Sequence, residues 1–104
     1  MFSSIRGTKD ILPKDQKYWD YFKHHAFKQS EIYGFERIET PTFEMTDLFL
    51  RGIGMGTDIV TKETYSFLDR GKNNITLRPE GTASVCRAYI QNSMHSESQP
   101  KKMY

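Results

Sequence analysis

Residues 65–90 constrain the fold more than any other part of this chain, because two predicted strands, a turn and a helix follow one another without a gap. Aromatic, aliphatic and β-branched side chains at 65–68 and 75–77 are typical of strands. Between them lies the polar hexamer 69–74, which is rich in turn-forming residues. We therefore expect an antiparallel hairpin that leads directly into a helix.

The junction after the hairpin reads Arg-Pro-Glu-Gly-Thr at positions 78–82. Pro79 has no amide hydrogen, so pairing of the second strand ends there. From Ala83 onward apolar residues recur at helical spacing, which places Glu80 and Thr82 where a strand stops and a helix begins. Unpaired backbone amides at such a junction favour an anion. Glu80 is then either a carboxylate that interacts only with the helix dipole or an anchor for a ligand ammonium, and spacing leaves both interpretations open.

A long helix is predicted from Pro13 to about Tyr33, since proline is tolerated in a first turn and Gly34 is a favourable helix end. Phe27 lies outside the apolar stripe of this helix, so either the helix is buried from two sides, by its own sheet and by a partner, or Phe27 is a lone exposed side chain. The stripe consists of Tyr18, Trp19, Phe22, Ala26 and Tyr33, widened by Tyr21 and Ile32.

The segment between the long helix and the hairpin is harder to interpret. Residues 35–39 are predicted to form a strand, and residues 40–43 with Pro41 interrupt or edge the sheet. A short helix is expected from Thr46. The glycine-rich stretch 51–57 lacks the Gly-Lys-Ser/Thr ending of a phosphate-binding P-loop, so we predict an ordinary loop.

Composition narrows the class of protein. The formal net charge is +2, and the single cysteine excludes an internal disulfide, so we expect a cytoplasmic protein. No apolar run approaches the roughly 20 residues of a membrane span, and no membrane association is predicted. Cys86 falls on the apolar face of the last helix and is predicted to be a buried structural thiol. His24 and His25 have no companions at metal-ligand spacing, so no metal site is predicted.

Three sequence motifs, taken together and in their order along the chain, identify a protein family more specifically than any single element described above. Positions 6–13 (Arg-Gly-Thr-Lys-Asp-Ile-Leu-Pro), 33–41 (Tyr-Gly-Phe-Glu-Arg-Ile-Glu-Thr-Pro) and 76–82 (Thr-Leu-Arg-Pro-Glu-Gly-Thr) resemble the N-terminal part of histidyl-tRNA synthetases. The resemblance implies an α+β fold, namely part of a class II synthetase catalytic domain with an antiparallel sheet flanked by helices. Residues 1–104 would then be the N-terminal part of that domain, ending before motif 2.

The resemblance also assigns roles to residues. In the family, the residues matching Glu80 and Thr82 hold the α-amino group of the substrate histidine, and Gly81 allows close backbone approach. The long helix and Pro41 resemble motif 1, which builds a dimer interface. The residues expected in that interface are Trp19, Phe22, Phe27 and Pro41.

The resemblance implies that the parent protein is a histidine–tRNA ligase, an aminoacyl-tRNA synthetase of translation. In that family histidine is activated by ATP with Mg²⁺ to histidyl-adenylate and then transferred to the 3′ end of tRNA(His), so we expect the same reaction here, in a homodimer. Catalysis of this kind needs positioning and charge stabilisation rather than a protein nucleophile. The family's ATP-binding arginine would lie beyond Tyr104, so no catalytic residue is assigned in this chain, and the 104 residues alone are predicted to be inactive.

Two alternatives belong to other functional classes. A synthetase-like regulatory subunit of ATP phosphoribosyltransferase shares the fold, but usually carries Asp-Met-Thr or Asp-Phe-Thr where positions 80–82 here read Glu-Gly-Thr. The triplet therefore favours the synthetase. The second alternative is a dimerisation module without a ligand, for which Glu80→Ala would affect nothing beyond stability.

A chain this short leaves sheet edges and apolar faces uncovered, so we expect the isolated 104 residues to behave poorly in solution or to self-associate through those edges. In size-exclusion chromatography the protein should elute ahead of a compact monomer, and the fraction of protein in this early peak should increase with protein concentration. A compact monomer with a sharp thermal transition would contradict this expectation.

Overall fold

The structure is a computed structural model that describes residues 1–53, 63–98 and 101–104. Helices and a three-stranded antiparallel sheet confirm the α+β class. The chain divides into two compact units. The terminal unit comprises Met1–Arg37 with Lys102–Tyr104, and the sheet unit comprises Ile38–Lys101. In the described ranges, no helix is both long and apolar enough to cross a membrane.

The terminal unit is built on helix α1, Pro13–Ile32, with proline in its first turn as predicted. Its end is also the predicted one. Gly34 adopts φ +79°, a left-handed conformation that glycine adopts without the steric cost of a Cβ atom. The amides of Gly34 and Phe35 donate to the carbonyls of Glu31 and Ser30, both at 3.0 Å, so two carbonyls of the last turn are satisfied.

The aromatic face of α1 lies open to solvent. No residue of α1 is buried, and Trp19 and Phe22 keep 41% and 66% of their surface exposed. Phe27 is half-buried, with its ring centroid 5.6 Å from that of Tyr104 and the Arg37 guanidinium carbon 4.7 Å from its ring centroid. Within the terminal unit, intrachain contacts therefore cover the Phe27 side of α1, while the wide aromatic face has large exposed area.

The predicted strand at 35–39 is wrong. This segment contains only an isolated parallel bridge between Glu36 and Met103. The Glu36 amide donates to the Lys102 carbonyl at 2.8 Å, and the Tyr104 amide donates to the Glu36 carbonyl at 3.0 Å. The residue types at 35–39 suit a strand, but a strand needs a paired partner along its length, and in this segment the structure records pairing only at Glu36.

The sheet unit contains strands β1 (Phe43–Met45), β2 (Ser66–Leu68) and β3 (Asn74–Leu77) in the order β1-β3-β2. The β2–β3 pairing, with Phe67 opposite Ile75, confirms the predicted hairpin. β1 pairs with the other edge of β3 and was not predicted, because its burial reverses the usual alternation. Glu44 is 8% exposed, whereas Phe43 and Met45 are half-exposed.

Two helices pack in this unit, α2 (Thr46–Ile53) and α3 (Thr82–Gln91), followed by a 3₁₀ turn at Met94–Ser96. α2 confirms the predicted short helix. Most of the glycine-rich stretch predicted as a loop, from Gly54 onward, lies outside the described residues.

The prediction that Cys86 is buried is wrong, because its side chain is exposed. α3 instead buries Ser84 and Ala88, one helical turn apart. Small side chains allow a helix backbone to approach its neighbours closely, and the larger apolar residues then lie to either side of the contact. Periodicity identified the hydrophobic side chains but could not show that small residues form the contact.

The interior of the sheet unit is partly polar. Thr76 is fully buried at the centre of the sheet, with its Oγ1 2.8 Å from Oγ1 of Thr46 and 2.7 Å from Oγ of Ser66. Phe49 of α2 is the large apolar side chain buried with it. Because the Thr76 hydroxyl has partners on both sides, its burial is compensated and links β3 to both β2 and α2.

A charged pair joins β1 to α3. Arg87 donates from Nε and Nη2 to Oε1 of Glu44 at 3.1 and 2.8 Å, and from Nη1 to Oε1 of Gln91 at 2.7 Å. Glu44 is 8% exposed and Arg87 28% exposed. A carboxylate this deeply buried requires its arginine.

We expect Glu44→Gln to lower the free energy of unfolding by about 2–3 kcal/mol, somewhat below the cost for a fully buried pair, because Arg87 retains contact with water. Urea denaturation measures the change. The matched control is Glu97→Gln, because Glu97 is 51% exposed in its pair with Lys101 and its loss should cost less than about 1 kcal/mol. Equal losses for the two variants would contradict the structural role of Glu44.

Candidate functional site

The candidate site is the corner where β3 gives way to α3. The Leu77 amide donates to the Tyr65 carbonyl at 2.9 Å on one side, and the Arg78 amide donates to the Thr42 carbonyl at 3.0 Å on the other. Strand β3 is therefore hydrogen-bonded to a neighbour on each side as far as Arg78. Pro79 contributes no amide, and the ladder ends there as predicted.

Glu80 caps the N-terminus of α3. One carboxylate oxygen accepts a short hydrogen bond from the Thr82 amide, and the other accepts from the Ala83 amide at 3.0 Å. Gly81 is the N-cap residue and has no side chain to fill that role. Glu80 thus lies before the helix rather than in its first turn, at the position where an anion satisfies the free amides.

These contacts keep Glu80 ionised. The pKa of Glu80 is lowered from its ordinary value of 4.5, chiefly because the Ala83 amide donates a hydrogen bond to the charged form. Desolvation of the carboxylate acts in the opposite direction and raises the pKa. Hydrogen bonds from the Thr82 amide and hydroxyl lower it further. A carboxylate offers about four acceptor positions, and the two amides use two of them. The exposed remainder is available to a cationic donor.

Glu80 and Thr82 also line an open groove of about 850 Å³ formed by α2 and α3. The groove surface is mainly apolar, with charge contributed by Arg51, Arg87 and Glu80. A Cβ atom added at Gly81 would meet nothing within 4 Å, so the space beside Gly81 is open. The remaining lining residues are Leu48, Phe49, Ala83, Cys86, Ile90 and Gln91.

The structure thus brings the predicted residues Glu80, Gly81 and Thr82 together at one corner. The predicted interface residues Trp19, Phe22 and Phe27 lie on α1 of the terminal unit, whereas Pro41 is an exposed residue of the sheet unit. Their assignment to a dimer interface stays a prediction.

Sequence reasoning assigned no role to Arg78, although its guanidinium contacts the backbone of Thr40 and Pro41. Backbone carbonyls leave no signal in a pattern of side chains, so these partners were not predictable. The Glu44–Arg87 pair was missed for a different reason, because a glutamate between two apolar residues is normally read as solvent-facing. Among the described residues, no group of three metal-ligating side chains is placed to hold an ion.

The lowered pKa of Glu80 predicts how stability depends on pH. Because the pKa in the folded state lies below the ordinary 4.5, Glu80 stabilises the fold above pH 4.5, and this contribution is lost as the pH falls through the folded value. A ¹³C-NMR titration of the Glu80 carboxyl should give a midpoint below 4.5. The stability difference between wild type and Glu80→Gln should shrink in the same window, and a midpoint at or above 4.5 would contradict the capping role.

Comparison with known proteins places this corner in a family context. Residues 7–104 match the sequence profile described as histidyl-tRNA synthetase. The chain is 52% identical over its full length to a histidine–tRNA ligase of Dehalococcoides mccartyi, of which it covers 25%. It is 52% identical over 100 residues to that of Staphylococcus haemolyticus, of which it covers 24%. The chain thus spans about a quarter of the length of these relatives.

Solved structures agree with the sequence matches. The apo histidyl-tRNA synthetase of S. aureus superposes with a TM-score of 0.84 at 43% identity, over 99% of this chain and 24% of that one. A Bacillus halodurans protein titled ATP phosphoribosyltransferase regulatory subunit/histidyl-tRNA synthetase superposes with a TM-score of 0.78 at 25% identity, over 99% of this chain and 26% of that one. The fold is therefore that of part of a class II synthetase catalytic domain, and the chain belongs to the histidyl-tRNA synthetase family.

Proposed function

We propose that the protein to which this chain belongs is a histidine–tRNA ligase. It activates histidine with ATP to histidyl-adenylate and pyrophosphate, and then transfers the histidyl group to the 3′ end of tRNA(His). The observation that carries this proposal is the Glu80 carboxylate, which accepts from two helix amides and lines an apolar groove together with Thr82. Family membership supplies the chemistry to which that arrangement is fitted.

In this proposal Glu80 binds the α-ammonium group of histidine. The Ala83 and Thr82 amides hold the carboxylate in one orientation, so little rotamer entropy is lost when the ammonium binds. The Thr82 hydroxyl supplies a neighbouring acceptor, and Gly81 leaves room for the substrate backbone. A charge-assisted hydrogen bond of this kind is worth more than a neutral one.

ATP, Mg²⁺ and tRNA(His) are proposed to bind residues of the longer protein, since the relatives are about four times the length of this chain. The described residues hold no carboxylate cluster suited to the magnesium ion, and we assign it no ligand here. The isolated 104 residues are accordingly proposed to be inactive in aminoacylation. We also propose a cytoplasmic homodimer that uses Trp19, Phe22, Phe27 and Pro41; the exposed area of Trp19 and Phe22 supports it.

A regulatory subunit of ATP phosphoribosyltransferase is the second candidate, favoured by the structural match to the Bacillus halodurans protein. The two candidates differ in one property. A regulatory subunit binds histidine without activating it, whereas a ligase forms the adenylate. The Glu-Gly-Thr triplet and the higher identity to ligases support the ligase.

Histidine-dependent ATP–pyrophosphate exchange by the full-length protein tests the proposal. Glu80→Gln keeps the shape of the side chain and removes its charge, so we expect the histidine KM to rise about 30-fold or more, from the roughly 2–5 kcal/mol lost when one partner of such a pair is removed. The ATP KM should change little, because the substituted side chain lies at the proposed position of the histidine ammonium and not at the ATP.

Thr82→Ser is the matched control at the same corner, since it retains the hydroxyl, and its histidine KM should stay near that of the wild type. Histidine binding without exchange by the wild-type protein would point to the regulatory subunit instead. Neither binding nor exchange, in a folded protein, would leave a dimerisation module as the better explanation.

A further inference from the structure

The guanidinium of Arg78 makes several polar contacts with one short segment of the sheet unit. Its Nη1 lies 2.7 Å from the Thr40 carbonyl oxygen, 3.1 Å from Thr40 Oγ1 and 3.1 Å from the Pro41 carbonyl oxygen. Its backbone amide donates to the Thr42 carbonyl at 3.0 Å. The side chain of Arg78 therefore holds Thr40 and Pro41 while its main chain holds Thr42, the next residue along.

These contacts do little for stability. Arg78 is exposed, so water satisfies the same carbonyls when the guanidinium is removed, and exposed charge-assisted contacts contribute little to the free energy of unfolding. Water cannot replace the fixed direction that three contacts impose on the chain leaving β3. The contribution of Arg78 is therefore expected in the position of the residues directly after it.

Glu80 follows Arg78 after a single residue. That residue is Pro79, whose ring fixes φ near −65°, so few backbone torsions separate the anchored Arg78 from the Glu80 carboxylate. The carboxylate in turn meets the amides of Thr82 and Ala83. In this sequence Arg78 is held by its contacts with residues 40–42, Pro79 restricts the backbone, and Glu80 carries the carboxylate proposed to bind the ligand.

We propose that Arg78 is a positioning residue for histidine binding. It fixes the β3–α3 corner to residues 40 and 41 and so sets where the Glu80 carboxylate meets the substrate ammonium. The inference rests on the function proposed for Glu80. It assigns no contact between Arg78 and the substrate.

The contact geometry predicts which substitutions succeed. The three acceptors of the Arg78 side chain, two backbone carbonyls and one hydroxyl, all lie around the same nitrogen, Nη1. A lysine ammonium has three hydrogens on one nitrogen and can therefore replace the guanidinium in part. Arg78→Met, which has no donor, should raise the histidine KM about 10- to 100-fold in ATP–pyrophosphate exchange, because small displacements of a binding group have effects of this size. Arg78→Lys should recover most of that loss.

The readouts separate positioning from folding. Misplacement of Glu80 raises the histidine KM and leaves the ATP KM unchanged, whereas loss of folded protein lowers kcat and leaves both KM values unchanged. Arg70→Met is the matched control, because it removes the same charge in the β2–β3 turn, at the opposite end of β3 from the corner. It should leave both KM values at wild-type levels.

The full-length wild type, Arg78→Met, Arg78→Lys, Arg70→Met and Glu80→Gln are assayed together. A histidine KM raised in Arg78→Met, recovered in Arg78→Lys and unaffected in Arg70→Met supports the inference. If Glu80→Gln raises the histidine KM while Arg78→Met does not, the inference is overturned and the proposed function stands. Absence of exchange in a folded wild-type protein overturns the proposed function and this inference with it.

Discussion

β3 is hydrogen-bonded along both of its edges, to β1 on one side and β2 on the other, until Pro79 ends the ladder. A strand paired on both sides has little freedom to slip or rotate, and the residues that leave it inherit a defined direction. α3 begins three residues after the proline. The sheet therefore fixes where α3 starts, and the Glu80 side chain then meets the free amides of that helix through its own hydrogen bonds.

Among the described residues of the sheet unit, the buried side chains are polar as well as apolar. Phe49 and Thr76 are fully buried, and Glu44, which pairs with Arg87, is 8% exposed. Polar groups in such positions demand defined partners at defined distances, so they specify one arrangement of β1, β3 and α3 more strictly than apolar contacts would. These polar contacts therefore help to fix the position of the β3–α3 corner that carries the Glu80 carboxylate.

One carboxylate serves two purposes in the proposed site. Glu80 caps α3 through two of its acceptor positions and offers the others to a ligand, so the helix amides orient the group that the substrate ammonium would meet. The same amides lower its pKa and keep it charged. A structural cap and a binding group are therefore compatible on one carboxylate, and the binding of a ligand ammonium by Glu80 stays a prediction.

The hairpin, the start and end of α1, the short α2 and the Pro79 boundary were determined by the sequence alone, because proline, glycine and local periodicity act on the residues beside them. Local pattern placed Glu80 and Thr82 at the strand–helix junction, but their binding role, with Gly81 between them, was predicted only from the resemblance to histidyl-tRNA synthetases. Tertiary structure alone decided that Glu44 turns inward to meet Arg87, that α3 packs through Ser84 and Ala88 while Cys86 is exposed, and that residues 35–39 form only a bridge. Each of these depends on a partner distant in sequence, and no local pattern records which partner a side chain or strand will meet.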